Sequence, residues 1–189
     1  MKIAEGIYTL DNILSLEECL EHIELTERIG YEAAPITTAR GFEMRPDTRN
    51  NTRVILDDIE RSNWLWQRIL EQMPMTVNGR KAVGLNERFR FYRYDPGERF
   101  APHVDGYYRR ENDEQSLLTL MVYLNEECEG GETNFILQNV SIKPKTGMAL
   151  IFDHLLFHEG AAVQSGRKYV LRSDIMFEPA YANFEFANS

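Results

Sequence analysis

The 189 residues carry 30 acidic side chains against 21 basic ones, a formal charge of −9, and 43% of them are hydrophobic. That balance opposes non-specific attraction to nucleic acid or anionic lipid, and no apolar run approaches the length that spans a bilayer. The length suits one domain over residues 1–189. Residues 1–6 lack the basic start, apolar stretch and cleavage site of a secretory signal. The two cysteines, Cys19 and Cys128, stand apart without disulfide or zinc-site spacing. A cytoplasmic protein with reduced thiols is the expectation.

In chain order, Ser15 and Glu18 form a capping box, and Leu16, Cys19, Leu20 and Ile23 follow at helical spacing, which predicts a helix to Ile29 with His22 on its surface. A second helix follows Asp57, with an acid at Glu60, buries some of Ile59, Trp64, Leu65, Ile69 and Leu70, and stops at Pro74. The stretch between them, Thr37 to Arg53, is polar and aperiodic, a loop running into the short strand Arg53–Leu56. From Arg88 the period becomes two: Phe89 and Phe91 take one face, and Arg90, Tyr92 and Tyr94 the other. Strands are predicted over Leu117–Leu124, Glu132–Leu137, Met148–Phe152 and Lys168–Phe177, separated by turns at Asp95-Pro96-Gly97, Gly130-Gly131, Lys145-Thr146-Gly147 and Ser165-Gly166. Helices followed by many short strands predict a mostly β fold with flanking helices: a double-stranded β-helix, or jelly-roll barrel, with the N-terminal helices packed on one sheet. The helical support covers about residues 1–80 and the jelly roll about 85–180.

Strand alternation sends His103 and Asp105 of His103-Val104-Asp105 to one side. His158, with His154 as a rival, offers a third ligand. Two histidines and one carboxylate on one face of an octahedral ion leave three positions open, which suits iron(II) with O2 and a bidentate cosubstrate.

Residues 88–177 contain Tyr94-Asp95-Pro96-Gly97, Pro102-His103-Val104-Asp105, Tyr123-Leu124-Asn125, Gly130-Gly131-Glu132-Thr133, and His158 with Gly166-Arg167-Lys168. In this order they resemble the iron(II)/2-oxoglutarate dioxygenases of the prolyl 4-hydroxylase type. The resemblance implies that His103, Asp105 and His158 bind iron, and that Lys168, ten residues after His158, pairs with the distal carboxylate of 2-oxoglutarate. Arg172, four further on, faces the same way and is the alternative anchor. Burying that carboxylate requires a charge-assisted partner. Tyr123 and Tyr94 match family tyrosines near the cosubstrate, although core packing explains a strand tyrosine equally well. The Gly130-Gly131 pair is a turn that needs positive φ.

The implied activity couples oxidative decarboxylation of 2-oxoglutarate by O2, giving succinate and CO2, to hydroxylation of a C–H bond in a peptide or small amino-acid-like molecule. Asp105 argues against a halogenase, in which the related enzymes free that position for halide. Two other classes remain: a non-catalytic jelly-roll metal-binding or interaction module, and an oxidative demethylase, which the acidic balance disfavours. For the substrate, Arg49, Asn50 and Arg53 stand out in Arg40–Arg53, a stretch with four arginines and two adjacent asparagines. Asparagine can bond a peptide backbone and arginine a carboxylate.

Overall fold

The computed structural model describes residues 1–38 and 41–180. The chain opens with a hairpin of β1 (Lys2–Ala4) and β2 (Ile7–Leu10) and enters α1 (Leu16–Ile29). Ser15 caps α1 as predicted: its Oγ accepts the Glu18 N–H at 3.1 Å, and the Glu18 carboxylate accepts the Ser15 N–H at 2.8 Å. The buried face is Cys19, His22 and Thr26, while Leu16 and Leu20 are exposed. His22 is therefore inside, not on the surface. Its Nε2 lies 2.7 Å from an Arg61 nitrogen. A guanidinium only donates, so Nε2 accepts and Nδ1 donates to the Glu18 carbonyl at 2.6 Å. Burial, with Arg61 adding to it, lowers the pKa of this imidazole and keeps it neutral.

Next come β3 (Glu32–Ala33), a hairpin of β4 (Ile36–Thr38) and β5 (Gly41–Glu43), and β6 (Thr52–Asp57). The aperiodic stretch thus holds a small hairpin that its composition conceals. Helix α2 (Ile59–Ile69) is capped by Asp58, one residue later than expected; Asp57 is occupied by Arg88, 2.8 Å away. Leu65 and Ile69 are buried, but Ile59 and Trp64 largely face outwards. The rest is β7 (Thr76–Val77), β8 (Arg80–Leu85), β9 (Arg88–Tyr94), β10 (Phe100–His103), β11 (Gln115–Tyr123), β12 (Cys128–Gly130), β13 (Thr133–Phe135), β14 (Val140–Ile142), β15 (Ala149–Asp153), β16 (His158–Gly160), β17 (Val163–Gly166) and β18 (Lys168–Phe177).

A ten-stranded antiparallel sheet runs β1-β2-β15-β11-β18-β9-β6-β3, with β8 also pairing with β18 and β7 with β8. The order β10-β16-β13-β14 forms a four-stranded sheet. This is the predicted double-stranded β-helix, although its sheets do not close by hydrogen bonds into a barrel. Alternation along the central strands gives the large sheet two different faces. Phe89, Phe91, Leu118, Leu120, Val122 and Leu171 pack with Leu65 and Ile69 of α2. Tyr92, Tyr94, Tyr123, Leu150, Phe152 and Val170 face the other way and pack with Phe135 and Ile142 of the small sheet. The second face continues into the polar residues of the site. No helix of the described residues is long and apolar enough to cross a membrane.

Candidate active site

Antiparallel pairing of β10 with β16 sets His103 opposite His158. Strand β10 ends at His103, so Asp105 lies just beyond it, held by its N–H donating to the His154 carbonyl at 2.9 Å. One ligand atom each from His103, Asp105 and His158 falls within 4.8 Å of the others. His103 Nδ1 lies 2.8 Å from the Ala101 carbonyl and His158 Nδ1 lies 2.9 Å from the Leu156 carbonyl. A carbonyl only accepts, so both Nδ1 atoms are protonated and both Nε2 lone pairs are free. Those Nε2 atoms approach the Asp105 carboxylate at 3.6 and 3.9 Å. The arrangement fits a divalent ion that takes two imidazoles and a carboxylate, with each imidazole oriented from behind. Burial lowers the His158 pKa to about 4 and keeps its ligand nitrogen unprotonated. Burial alone would raise the Asp105 carboxyl, but Arg172, 3.1 Å from Oδ1, and the two imidazoles hold it well below the usual carboxylate range.

A chain of hydrogen bonds backs the carboxylate. Thr119 Oγ1 donates its single proton to Asp105 Oδ2 at 2.6 Å, so it must accept from His154 Nδ1 at 2.9 Å. His154 Nε2 then accepts from Ser116 Oγ at 3.0 Å, and that oxygen accepts the Tyr108 N–H at 2.8 Å. The rival ligand His154 thus has both ring nitrogens engaged behind Asp105 and does not join the cluster. Sequence alone carried no sign of Thr119, because its role depends on which strands pair.

The same pocket is lined by Tyr92, Tyr94, Phe100, Met121, Thr133, Gly160, Lys168 and Arg172. Lys168 is 2% exposed, its Nζ sits 5.1 and 5.5 Å from the ring centroids of Tyr94 and Tyr123, and it donates to the Gly131 carbonyl at 2.5 Å. Burial pushes its pKa down to about 8. Gly131 does adopt positive φ, at +71°, and a Cβ there would meet Lys168 Cδ at 3.1 Å, so the turn also makes room for the lysine stem. Tyr123 bonds Thr133 Oγ1 at 2.7 Å, and burial raises both its phenol and that of Tyr94, the latter to about 12. Arg172 shares this face but is engaged at the other end of the pocket by Asp105 at 3.1 Å and Asp174 at 3.4 Å. The cavity volume is about 30 Å³, enough to admit water.

Of the loop residues, Arg49 is 5% exposed, with its guanidinium 4.4 Å from the Tyr92 ring centroid and 4.5 Å from that of Phe100. Phe100 in turn stacks on His103 at 3.6 Å. Asn50 is not brought to the pocket: its amide accepts the Arg99 N–H at 2.7 Å and reaches the Gly97 carbonyl at 3.4 Å, tying the loop to the turn before β10. Arg53 pairs in register with Tyr92 and lies over Phe42 at 5.9 Å. Arg40, at the start of that stretch, lies outside the described residues. Tyr92 was open to detection, since alternation puts it on the face of Tyr94; Thr133 and Phe100 gave no signal of their own.

Residues 89–173 match the family model of the 2OG-Fe(II) oxygenase superfamily. Prolyl 4-hydroxylase 1 of Arabidopsis thaliana is 26% identical over 189 residues, an alignment that covers 86% of this chain and 66% of that relative's length. The viral collagen prolyl hydroxylase of Paramecium Bursaria Chlorella virus-1, solved as its 2OG complex, superposes with a TM-score of 0.64 at 24% identity over 93% of this chain and 99% of that one. A prolyl hydroxylase from Trichoplax adhaerens, solved with a hypoxia inducible factor peptide fragment, gives 0.67 at 17% identity over 90% and 83%. The structural likenesses speak for the fold, and the family model spans the segment that carries the His-Asp-His cluster and Lys168. Residues 89–173 thus resemble the 2OG-Fe(II) oxygenase superfamily, and over most of its length the chain is similar to the prolyl 4-hydroxylases.

Proposed function

We propose that this protein is an iron(II)- and 2-oxoglutarate-dependent dioxygenase that hydroxylates a C–H bond of a peptide, with peptidyl proline the first residue to test. The reading is carried by one observation: two imidazoles with free Nε2 lone pairs and an ionised carboxylate converge at one end of a pocket that has a buried lysine farther along its wall. The prolyl assignment is supported by relatives that bear the prolyl 4-hydroxylase name. A free amino acid remains within the same chemistry.

In this reading His103, Asp105 and His158 hold iron, which when bound supplies the redox chemistry that couples conversion of 2-oxoglutarate and O2 to succinate and CO2 with C–H hydroxylation. Lys168 leaves the Gly131 carbonyl to receive the distal carboxylate of the cosubstrate, a stronger acceptor for its charge. Tyr123, Tyr94 and Thr133 flank that end, where a phenol or hydroxyl can donate a further bond. Thr119 and Arg172 keep Asp105 ionised and oriented. The aromatic rings of Phe100, Phe135 and Phe152 around the two imidazoles exclude water. A buried cation with no ionic partner among the described residues is a burden that a non-catalytic module has no use for. Residues 1–189 act as one domain in this account, in a cytoplasmic setting where Cys19 and Cys128 stay free thiols. The test is anaerobic addition of iron(II) and then 2-oxoglutarate, followed by visible absorbance, and afterwards succinate release with O2 and a panel of proline peptides. No 2-oxoglutarate binding in the iron-loaded protein, and no succinate with any peptide, sinks the proposal.

A further inference from the structure

We propose that the substrate of this site carries a carboxylate next to the carbon that reacts, and that Arg49 and Arg53, set against the Tyr92 and Phe100 side of the pocket wall, receive it. This rests on the dioxygenase reading above and narrows its substrate class.

The segment that carries Arg49 is stitched to β10. Arg49 bridges Phe100, the Ala101 N–H donates to the Thr48 carbonyl at 2.8 Å, and the Asn50 N–H donates to the Arg99 carbonyl at 3.4 Å. The guanidinium is thus fixed against the two rings that separate it from the metal-binding cluster. Its Nε donates to Asn51 Oδ1 at 2.7 Å, but Nη2 is buried with no hydrogen-bond partner among the described residues. An unpaired donor of this kind loses the full desolvation free energy of the group.

Arg49 is also placed among like charges. Arg53, Arg90 and Arg172 surround the same phenol, that of Tyr92. Arg172 and Arg90 are compensated by Asp105 and Asp174, and Arg88 by Asp57. Among the described residues no carboxylate pairs with Arg49 or Arg53. Arg53 is disfavoured as a cation by burial and by Arg49, Arg90 and Arg88. The Tyr92 hydroxyl reports the resulting field: burial should raise its pKa, yet Arg49, Arg172 and Arg90 together bring it below the ordinary phenol value. In a chain of formal charge −9, setting a buried arginine and a half-buried one side by side with no carboxylate partner among the described residues is costly unless an anion arrives there. Iron(II) and doubly charged 2-oxoglutarate cancel, so loading the site leaves this positive excess in place. Asn51 holds the Arg49 fork through Nε and leaves Nη2 unused, and a guanidinium fork suits a planar carboxylate.

The test uses blocked peptides with a central proline and Glu, Gln or Lys in turn at each adjacent position, alongside free L-proline and N-acetylprolinamide. Binding is measured by calorimetry to the manganese(II)- and 2-oxoglutarate-loaded protein, so that no turnover is needed. The expected result is that the best Glu peptide binds at least about tenfold more tightly than its Gln counterpart, with Lys weaker still, and that Arg53→Gln and Arg49→Gln each shrink the Glu-to-Gln ratio towards one. Preference for free proline over the blocked amide, with the same response to the substitutions, supports a small-acid source of the same carboxylate. Equal binding of Glu and Gln peptides and of acid and amide in the parent protein overturns the inference, as does discrimination that survives both substitutions. Because the parent comparison needs no variant, misfolding of Arg49→Gln leaves it decisive. Absence of succinate from every compound that binds counts against the hydroxylase reading and not against this one.

Discussion

Replacing Lys168 by Met should make the protein more stable while impairing its binding of 2-oxoglutarate. The lysine is 2% exposed, and burial pushes its pKa from the ordinary 10.5 to about 8, a penalty on the ammonium of about 3 kcal/mol. Methionine removes that penalty at similar volume. It also removes the bond to the Gly131 carbonyl, about 1.5–3 kcal/mol for a charged donor. The net gain is up to about 1.5 kcal/mol, which raises the melting temperature by up to about 6 °C for a chain of this size. The cosubstrate loses its charged partner, about 1.5–3 kcal/mol, or about 10–150-fold in Kd. pH separates the two effects. The folded pKa lies below the unfolded one, so between about pH 8 and 10.5 the unfolded chain binds the extra proton and parental stability rises with pH through that window. Over the same window the parent loses its ammonium, and 2-oxoglutarate binding weakens. Lys168→Met should show neither trend from this group. Thermal melts and anaerobic 2-oxoglutarate titrations of the iron-loaded proteins from pH 7 to 9.5 read both. A variant that melts lower than the parent and binds 2-oxoglutarate equally well refutes the reasoning.

Metal titration should find that His103→Ala, Asp105→Ala and His158→Ala each abolish iron binding, whereas His154→Ala, whose nitrogens serve Thr119 and Ser116, retains it; the reverse pattern would discredit the ligand assignment. Thr119→Val keeps the shape but deletes the proton donated to Asp105, and metal affinity should fall about tenfold, the lower end for loss of a bond behind a ligand; unchanged affinity in a competitive chelator assay would deny it that role. Phe91→Ala, at a fully buried position on the helix side of the large sheet, should cost about 3–5 kcal/mol in urea unfolding and leave 2-oxoglutarate affinity unchanged.

What the sequence disclosed follows from where its periodicities were strong. The run Lys168–Phe177 was predicted with the bounds the structure gives to β18, because strand-favouring residues (Tyr169-Val170-Leu171 and Ile175-Met176-Phe177) dominate it and its start is marked by Ser165-Gly166. The capping box at Ser15 was legible for the same local reason. Short strands such as β3, β4 and β5 carry no period of their own and exist through pairing partners distant in sequence. His22 was misjudged because its burial depends on Arg61, 39 residues away. The cluster of His103, Asp105 and His158 was readable from motif order, but the reason Asp105 stays ionised was not. That required the register that sets Met121 opposite Arg172 and Thr119 opposite Asp174.

The same register explains how one strand can serve the core and the chemistry at once. Along β18, Lys168, Arg172 and Asp174 face the pocket while Tyr169, Leu171 and Ile175 face the helices. A slip of one residue would exchange these sets, sending two cations and a carboxylate into hydrocarbon. Pairing with β9 on one side and β11 on the other, over most of the strand's length, excludes that slip. The pocket face carries burdens that folding alone would discard: a buried lysine, a buried arginine with an unused donor, and a carboxylate held ionised out of water. They persist because the opposite face of the same backbone buries Phe89, Phe91, Leu120, Val122 and Leu171 completely, about 1.5–3 kcal/mol for each side chain. Stability and chemistry are thus divided between the two sides of a single sheet, and substitutions on one side should register mainly in the assay that belongs to it.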